Sequence, residues 1–121
     1  MKDAALLAHA LALLGDPAAG IGPVRGRRMF GGHGIFKDDR MVALIADGRL
    51  YLKTDERTRP VFEAADSHAF TFAKAGRDVV TSYMSAPDEA LDEAAAMAPW
   101  AERALEAATR AAREKHPKQR R

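Results

Sequence analysis

One stretch constrains the fold more than any other: Arg27 to Phe36, which reads Arg-Arg-Met-Phe-Gly-Gly-His-Gly-Ile-Phe. Three glycines stand among four large apolar residues, an unusual mixture for a loop. Gly31, Gly32 and Gly34 lack Cβ atoms, so a second backbone, a helix or a bulky side chain can come close there. Met29, Phe30, Ile35 and Phe36 supply apolar contacts on either side. The pattern predicts a bent or bulged strand with a helix packed against it.

The hydrophobic periodicity on either side extends this reading. Leu7, Leu11 and Leu14 share one face of a helix over 3–14, which Gly15 ends. Asp16-Pro17 makes an immediate restart of that helix unfavourable. Gly20 to Pro23 is a connector into the glycine-rich strand, and Lys37 to Arg40 is a polar turn. Met41 to Ala46 is apolar at successive positions, as an inner strand would be. Asp47-Gly48 suits a two-residue hairpin, because a type I′ turn needs positive φ at both positions. Leu50 and Leu52 alternate with Arg49, Tyr51 and Lys53 on the return, which completes a three-stranded meander.

Thr58 is placed to cap a short helix with Pro60 in its first turn and Val61, Phe62, Ala64 and Ala65 buried. Phe70 and Phe72 share one face of a strand, Gly76 turns, and Val79 to Met84 pairs back. Ser85 and Asp88 have capping-box spacing before a last helix striped with Met97, Trp100, Ala101, Ala104, Leu105 and Ala108. Pro99 predicts a kink or a division of that helix into two. The expected order is helix, three strands, helix, two strands, helix. That describes an α+β two-layer sandwich with an antiparallel sheet, occupying residues 1–109.

Charge separates the end of the chain from the rest. The 121 residues carry a formal +2, yet residues 110–121 alone hold six Lys/Arg and one acid, or +5. Residues 1–109 are therefore at −3, so a nucleic-acid-binding face is not expected on the folded part. The run Arg110, Arg113, Lys115, Lys118, Arg120 and Arg121 reads instead as a basic, solvated tail able to neutralise phosphates. With no cysteine there is no disulfide framework and no thiolate chemistry, which fits a reducing cytoplasm. No apolar run approaches the ~20 residues that span a bilayer. The Ala/Leu-rich start lacks a basic leader and is interrupted by Asp3 and His9, so it reads as a helix rather than a signal peptide.

The ten residues from Arg27 to Phe36 resemble the opening motif of the TfoX N-terminal domain family (TfoX/Sxy). Ala43 to Lys53, Arg59 to Ala64, and Ser82-Tyr83-Met84 with Pro87 and Trp100-Ala101 resemble the same family in the same order. The resemblance implies a secretion-chaperone-like α+β fold with order α-β3-α-β2-α. It makes Arg28, Met29, Phe30, Gly31, Gly32 and Gly34 a structural motif, and it brings no catalytic residue. It also implies a regulatory module in transcription or competence with a protein partner, possible homodimerisation, and a stand-alone copy of a domain that the family's regulators follow with a second one. His33 departs from the tyrosine frequent at that place in the motif.

Other candidate chemistry is weaker. Gly20-x-Gly22 with Gly26 is one residue too long for a dinucleotide fingerprint and leads into a strand, whereas phosphate cradling needs a helix N-terminus. His9, His33, His68 and His116 lack the spacing of a metal site, and no metal or cofactor is expected. Asp66-Ser67-His68 holds triad residue types, but consecutive residues cannot converge as a triad. Met97 and Trp100 read as core. Tyr51, Phe70 and Phe72 on a sheet invite base stacking; the accompanying basic residues are few, so packing under a helix is expected. The readings left open are a non-enzymatic interaction module, nucleic-acid binding through the tail, and a small-ligand pocket near Arg27, Arg28 and His33.

Overall fold

The computed structural model describes residues 2–29 and 31–115. Six strands form one antiparallel sheet in the order β1-β2-β3-β4-β6-β5. They are β1 Arg25–Met29, β2 Gly32–Lys37, β3 Arg40–Ala46, β4 Arg49–Lys53, β5 Ala69–Lys74 and β6 Arg77–Ser85. Three helices, α1 Lys2–Gly15, α2 Arg59–Ala64 and α3 Ala94–Lys115, lie on one side of the sheet. The α+β antiparallel sandwich expected from the periodicity is what the chain forms.

The expected three-stranded meander has four strands. Arg27–Phe36 is not one bent strand but a hairpin, with Met29 paired to Gly32 across the connection. Pairing with β2 satisfies backbone groups that a bent single strand would leave open. Gly31 takes φ +77°, which a glycine adopts without strain, while Phe30 of the motif lies outside the described residues. An irregularity does occur, between Ile35 and Phe36 in the ladder with β3.

The three glycines also work differently from the expectation. A Cβ on Gly32 would run into the carbonyl oxygen of Ile45 in β3, so this bare α-carbon admits a neighbouring strand. A Cβ on Gly34 would meet the sulfurs of Met29 and Met41, both at 2.8 Å. The helix instead lands on Gly26, where a Cβ would lie 3.1 Å from a methyl of Leu7.

Across the sheet, Gly26, Ile35, Ala43, Leu52, Met84 and Ala69 stand in register on the helix-facing side. Over them pack Ala10 and Leu14 of α1 and Met97, Ala101 and Ala104 of α3, all fully buried. Phe62 of α2 meets Trp100 edge-on at 5.0 Å. The Asp47-Gly48 turn forms as expected, with φ +52° and +74°. Asp3 accepts a 2.9 Å bond from the Gly48 N–H and so ties the start of α1 to this hairpin.

Four local expectations change. After Gly15 the chain does restart, as a short 3₁₀ turn Pro17–Ala19, because the Asp16 carboxylate accepts from the Ala18 N–H. Thr58 makes no cap to α2; Asp55 accepts from the N–H of Thr58, and the Thr58 hydroxyl accepts from the N–H of Asp55. That reciprocal pair is a capping box one turn earlier than expected. Ser85 closes β6 rather than opening a helix, its hydroxyl accepting from the His68 N–H at 3.0 Å. A 3₁₀ turn, Asp88–Leu91, follows, and α3 then runs through Pro99 as a single helix.

Helix α3 also continues past residue 112, so the charge run does not begin as a frayed tail. Arg110 is engaged with Asp55 by bonds of 2.6 and 3.1 Å, and Arg113 stands exposed on the same helix. Lys118, Arg120 and Arg121 lie outside the described residues, as does the side chain of Lys115.

Candidate binding face of the sheet

Strand alternation assigns every second residue to the face away from the helices. Register carries that assignment across the sheet through Arg27, Gly34, Leu44, Tyr51 and Ser85. On this face β1 presents Arg25, Arg27 and Met29, β4 presents Arg49, Tyr51 and Lys53, and β5 presents Phe70, Phe72 and Lys74. Arg77 pairs with Lys74 and shares its side. Tyr51, Phe70 and Phe72 were expected to lie under a helix. They lie on the opposite face, because the core cluster takes the other parity of each strand.

The rings form a connected set. His68 meets Tyr51 edge-on at 6.3 Å, Tyr51 meets Phe70 at 5.1 Å, and Phe70 stacks on Phe72 at 6.3 Å with 28° between planes. Tyr51 is almost fully buried by its neighbours, whereas Phe72 is 42% exposed. Nearer the other edge, the Arg25 guanidinium lies 5.2 Å above the Phe36 ring. The Lys53 ammonium lies 5.1 Å above Tyr83. Cations held over ring faces are favourable contacts.

Charge segregates between the strands and the connections. Nine of the chain's 19 Lys/Arg lie on strands, against one of its 17 Asp/Glu, Asp78, which faces the other way. The acids gather in the helices and connections, among them Glu102 and Glu106 on α3. The net −3 of residues 1–109 is therefore an average over basic strands and acidic connections. The strand cations turned away from the helices form a basic patch that the net charge of the chain conceals.

At one end of the sheet, a cleft of about 520 Å³ opens between Arg40, Lys53 and Tyr83 and the small residues Ala108, Ala111 and Ala112 of α3. Lys53 donates to the Ser82 hydroxyl at 2.6 Å, and burial draws its pKa below the usual lysine value. Burial pushes the Tyr83 phenol up to about 12, and its hydroxyl donates to the Met41 carbonyl at 3.3 Å. The folded pKa thus exceeds the unfolded one, and Tyr83 favours folding less as pH rises above ~10. An ultraviolet titration is expected to show a tyrosine step near pH 12 that Tyr83→Phe abolishes; a step near 10 for this residue would contradict the packing.

The remaining candidate residues do not converge. Arg27 and Arg28 project to opposite faces of β1, and His33 stands opposite Arg28 rather than Arg27, so the three do not form one anion pocket. Gly20 and Gly22 take φ +87° and +84° in a connector that leads into a strand. His9 bonds the Leu91 carbonyl at 2.8 Å and fastens α1 to the turn before α3. Among the described residues no three His, Asp or Glu side chains gather as metal ligands, and no helix is long and apolar enough to cross a membrane.

Compared with known families, the chain matches the TfoX N-terminal domain over residues 16–108, from the turn after α1 to the middle of α3. The comparison with curated proteins found no match.

Proposed function

The chain belongs to the TfoX N-terminal domain family, and we propose that it acts without catalysis, as a regulatory module that binds through the open face of its sheet. The observation that carries this reading is the basic, ring-bearing face opposite the helices, with Phe72 42% exposed on it. Contiguous apolar surface rimmed by charge marks an interaction site more often than a bare solvated face. In the cytoplasm such a module would serve transcription control, with the family's competence regulators as the precedent for that role. Self-association through this face is disfavoured, because an isologous pair would oppose like charges.

Affinity capture with the full chain tests the reading. A face variant, Arg27→Glu with Arg49→Glu, is expected to lose the captured macromolecules, protein or nucleic acid. Glu102→Lys on the helical layer is expected to keep them. Equal capture by both variants would move the working surface elsewhere.

A further inference from the structure

We propose that the occupant of the open sheet face is a single-stranded nucleic acid, held by base stacking on its rings and by phosphate contacts to its flanking cations; this rests on that face being the working surface. Charge selects the class. Arg25, Arg27, Arg49, Lys74 and Arg77 share the face, and none of the strand carboxylates does. The partner is accordingly a polyanion, and a second copy of the same face is excluded by sign.

The rings separate nucleic acid from an acidic polypeptide. Phe72 is exposed and already stacked on Phe70, so a planar base continues an existing stack. The Arg25 guanidinium carbon lies 5.2 Å from the Phe36 ring centre, which sets a cation and a ring together at the other edge for a second base. Carboxylate side chains bring no aromatic ring to stack there. A duplex hides its base faces, and among the described residues no helix or arm projects from this face into a groove, which favours the single strand.

The dimensions agree. Five inter-strand steps separate the Arg27 edge from the Phe72 edge, or ~24 Å at the usual spacing. That width suits a short segment, on the order of four to eight nucleotides. Stacking reads the π-face common to all bases, so recognition tolerates sequence.

The experiment is fluorescence anisotropy of the full chain with labelled oligothymidylate and oligouridylate of twelve nucleotides, a matched DNA duplex, and polyglutamate as competitor. Saturable binding to one or both single strands is expected at 50 mM salt, with the duplex weaker. With about four phosphate contacts, raising salt to 200 mM is expected to weaken binding about 50-fold. Phe72→Ala, at an exposed position, is expected to cost about 5- to 100-fold with an unchanged circular dichroism spectrum, and Phe72→Trp to restore it. The DNA and RNA arms show which strand is preferred. Three results overturn the proposal: no binding to either strand, binding indifferent to Phe72→Ala, or binding lost on removing residues 116–121 alone. Polyglutamate bound in preference to the oligonucleotides overturns it too, while leaving the face a docking surface for an acidic protein. Loss of the face's role altogether would show instead in the capture comparison above.

Discussion

Gly32→Ala is expected to destabilise the domain by about 3 kcal/mol, the upper end of overpacking costs. The new methyl would meet the Ile45 carbonyl oxygen, part of the β3 backbone and unable to rotate away. Relief requires parting β2 from β3 in the middle of the sheet. Gly34→Ala provides the internal comparison. Its methyl would meet the thioether sulfurs of Met29 and Met41, which have rotatable bonds with which to withdraw, and a cost of about 1 kcal/mol is expected. Gly31→Ala encounters no atom within 4 Å but must hold φ +77°, again about 1 kcal/mol. Against a typical total of about 5–15 kcal/mol, only Gly32→Ala threatens folding. Denaturant midpoints for the three variants give the order directly, and a larger loss at Gly34 than at Gly32 would contradict the packing.

The second large effect belongs to Asp55. Its carboxylate accepts from Arg110 at 2.6 and 3.1 Å and from the N–H groups of Arg57 and Thr58 at 3.1 and 3.2 Å. One side chain therefore fastens the last third of α3 to the end of β4 and caps the turn leading into α2. Asp55→Ala removes both roles, with an expected loss of about 2–3 kcal/mol. Arg110→Met keeps the stem and the cap and is expected to cost about 1 kcal/mol.

The pH dependence follows from the same contacts. The Arg110 guanidinium, with help from the two N–H groups, holds the Asp55 carboxyl down at about 2, against an ordinary 3.8. A depressed carboxyl favours folding fully above its unfolded value and loses that contribution as it protonates. Stability is thus expected to fall by about 1–2 kcal/mol between pH 4 and 2, after allowing for solvent screening of a partly exposed pair. Asp55→Asn should flatten this segment of the stability profile. An unchanged acid slope in that variant would remove the ion pair from the account.

The fold was legible where a local rule and the long-range packing agree. Asp47-Gly48 demanded a hairpin and made one, and the Leu, Ala and Trp stripes fell on the core. Strand β1 escaped notice because Arg-Gly-Arg-Arg-Met holds a single large apolar residue, Met29. It is an edge strand, supported by pairing and by a helix resting on Gly26 rather than by side chains of its own. Arg110 was misplaced because composition changes at that position while the helix does not. Ala111 and Ala112, half-buried after Ala104 and Ala108, carry the small-residue stripe onward and were the signal for it.

The binding face was hidden by averaging. A net charge of −3 over residues 1–109 says nothing of which side of a strand each charge occupies. Alternation held that information: Arg25 and Arg27, Arg49 with Tyr51 and Lys53, and Phe70, Phe72 and Lys74 each recur at a period of two. Summed along the chain, these positions vanish into the acids of the connections. Sorted by face, they define a surface.

Methyl-labelled methionine offers the most direct test of that surface, since the probes sit on both sides of the sheet. Met29 and Met41 belong to the open face around Gly34, while Met84 and Met97 are buried in the core beneath the helices. Titrating the full chain with twelve-nucleotide oligothymidylate is expected to shift the Met29 and Met41 resonances to saturation and to leave Met84 and Met97 in place. Bound oligonucleotide with Met29 and Met41 unmoved would contradict the assignment of the working face.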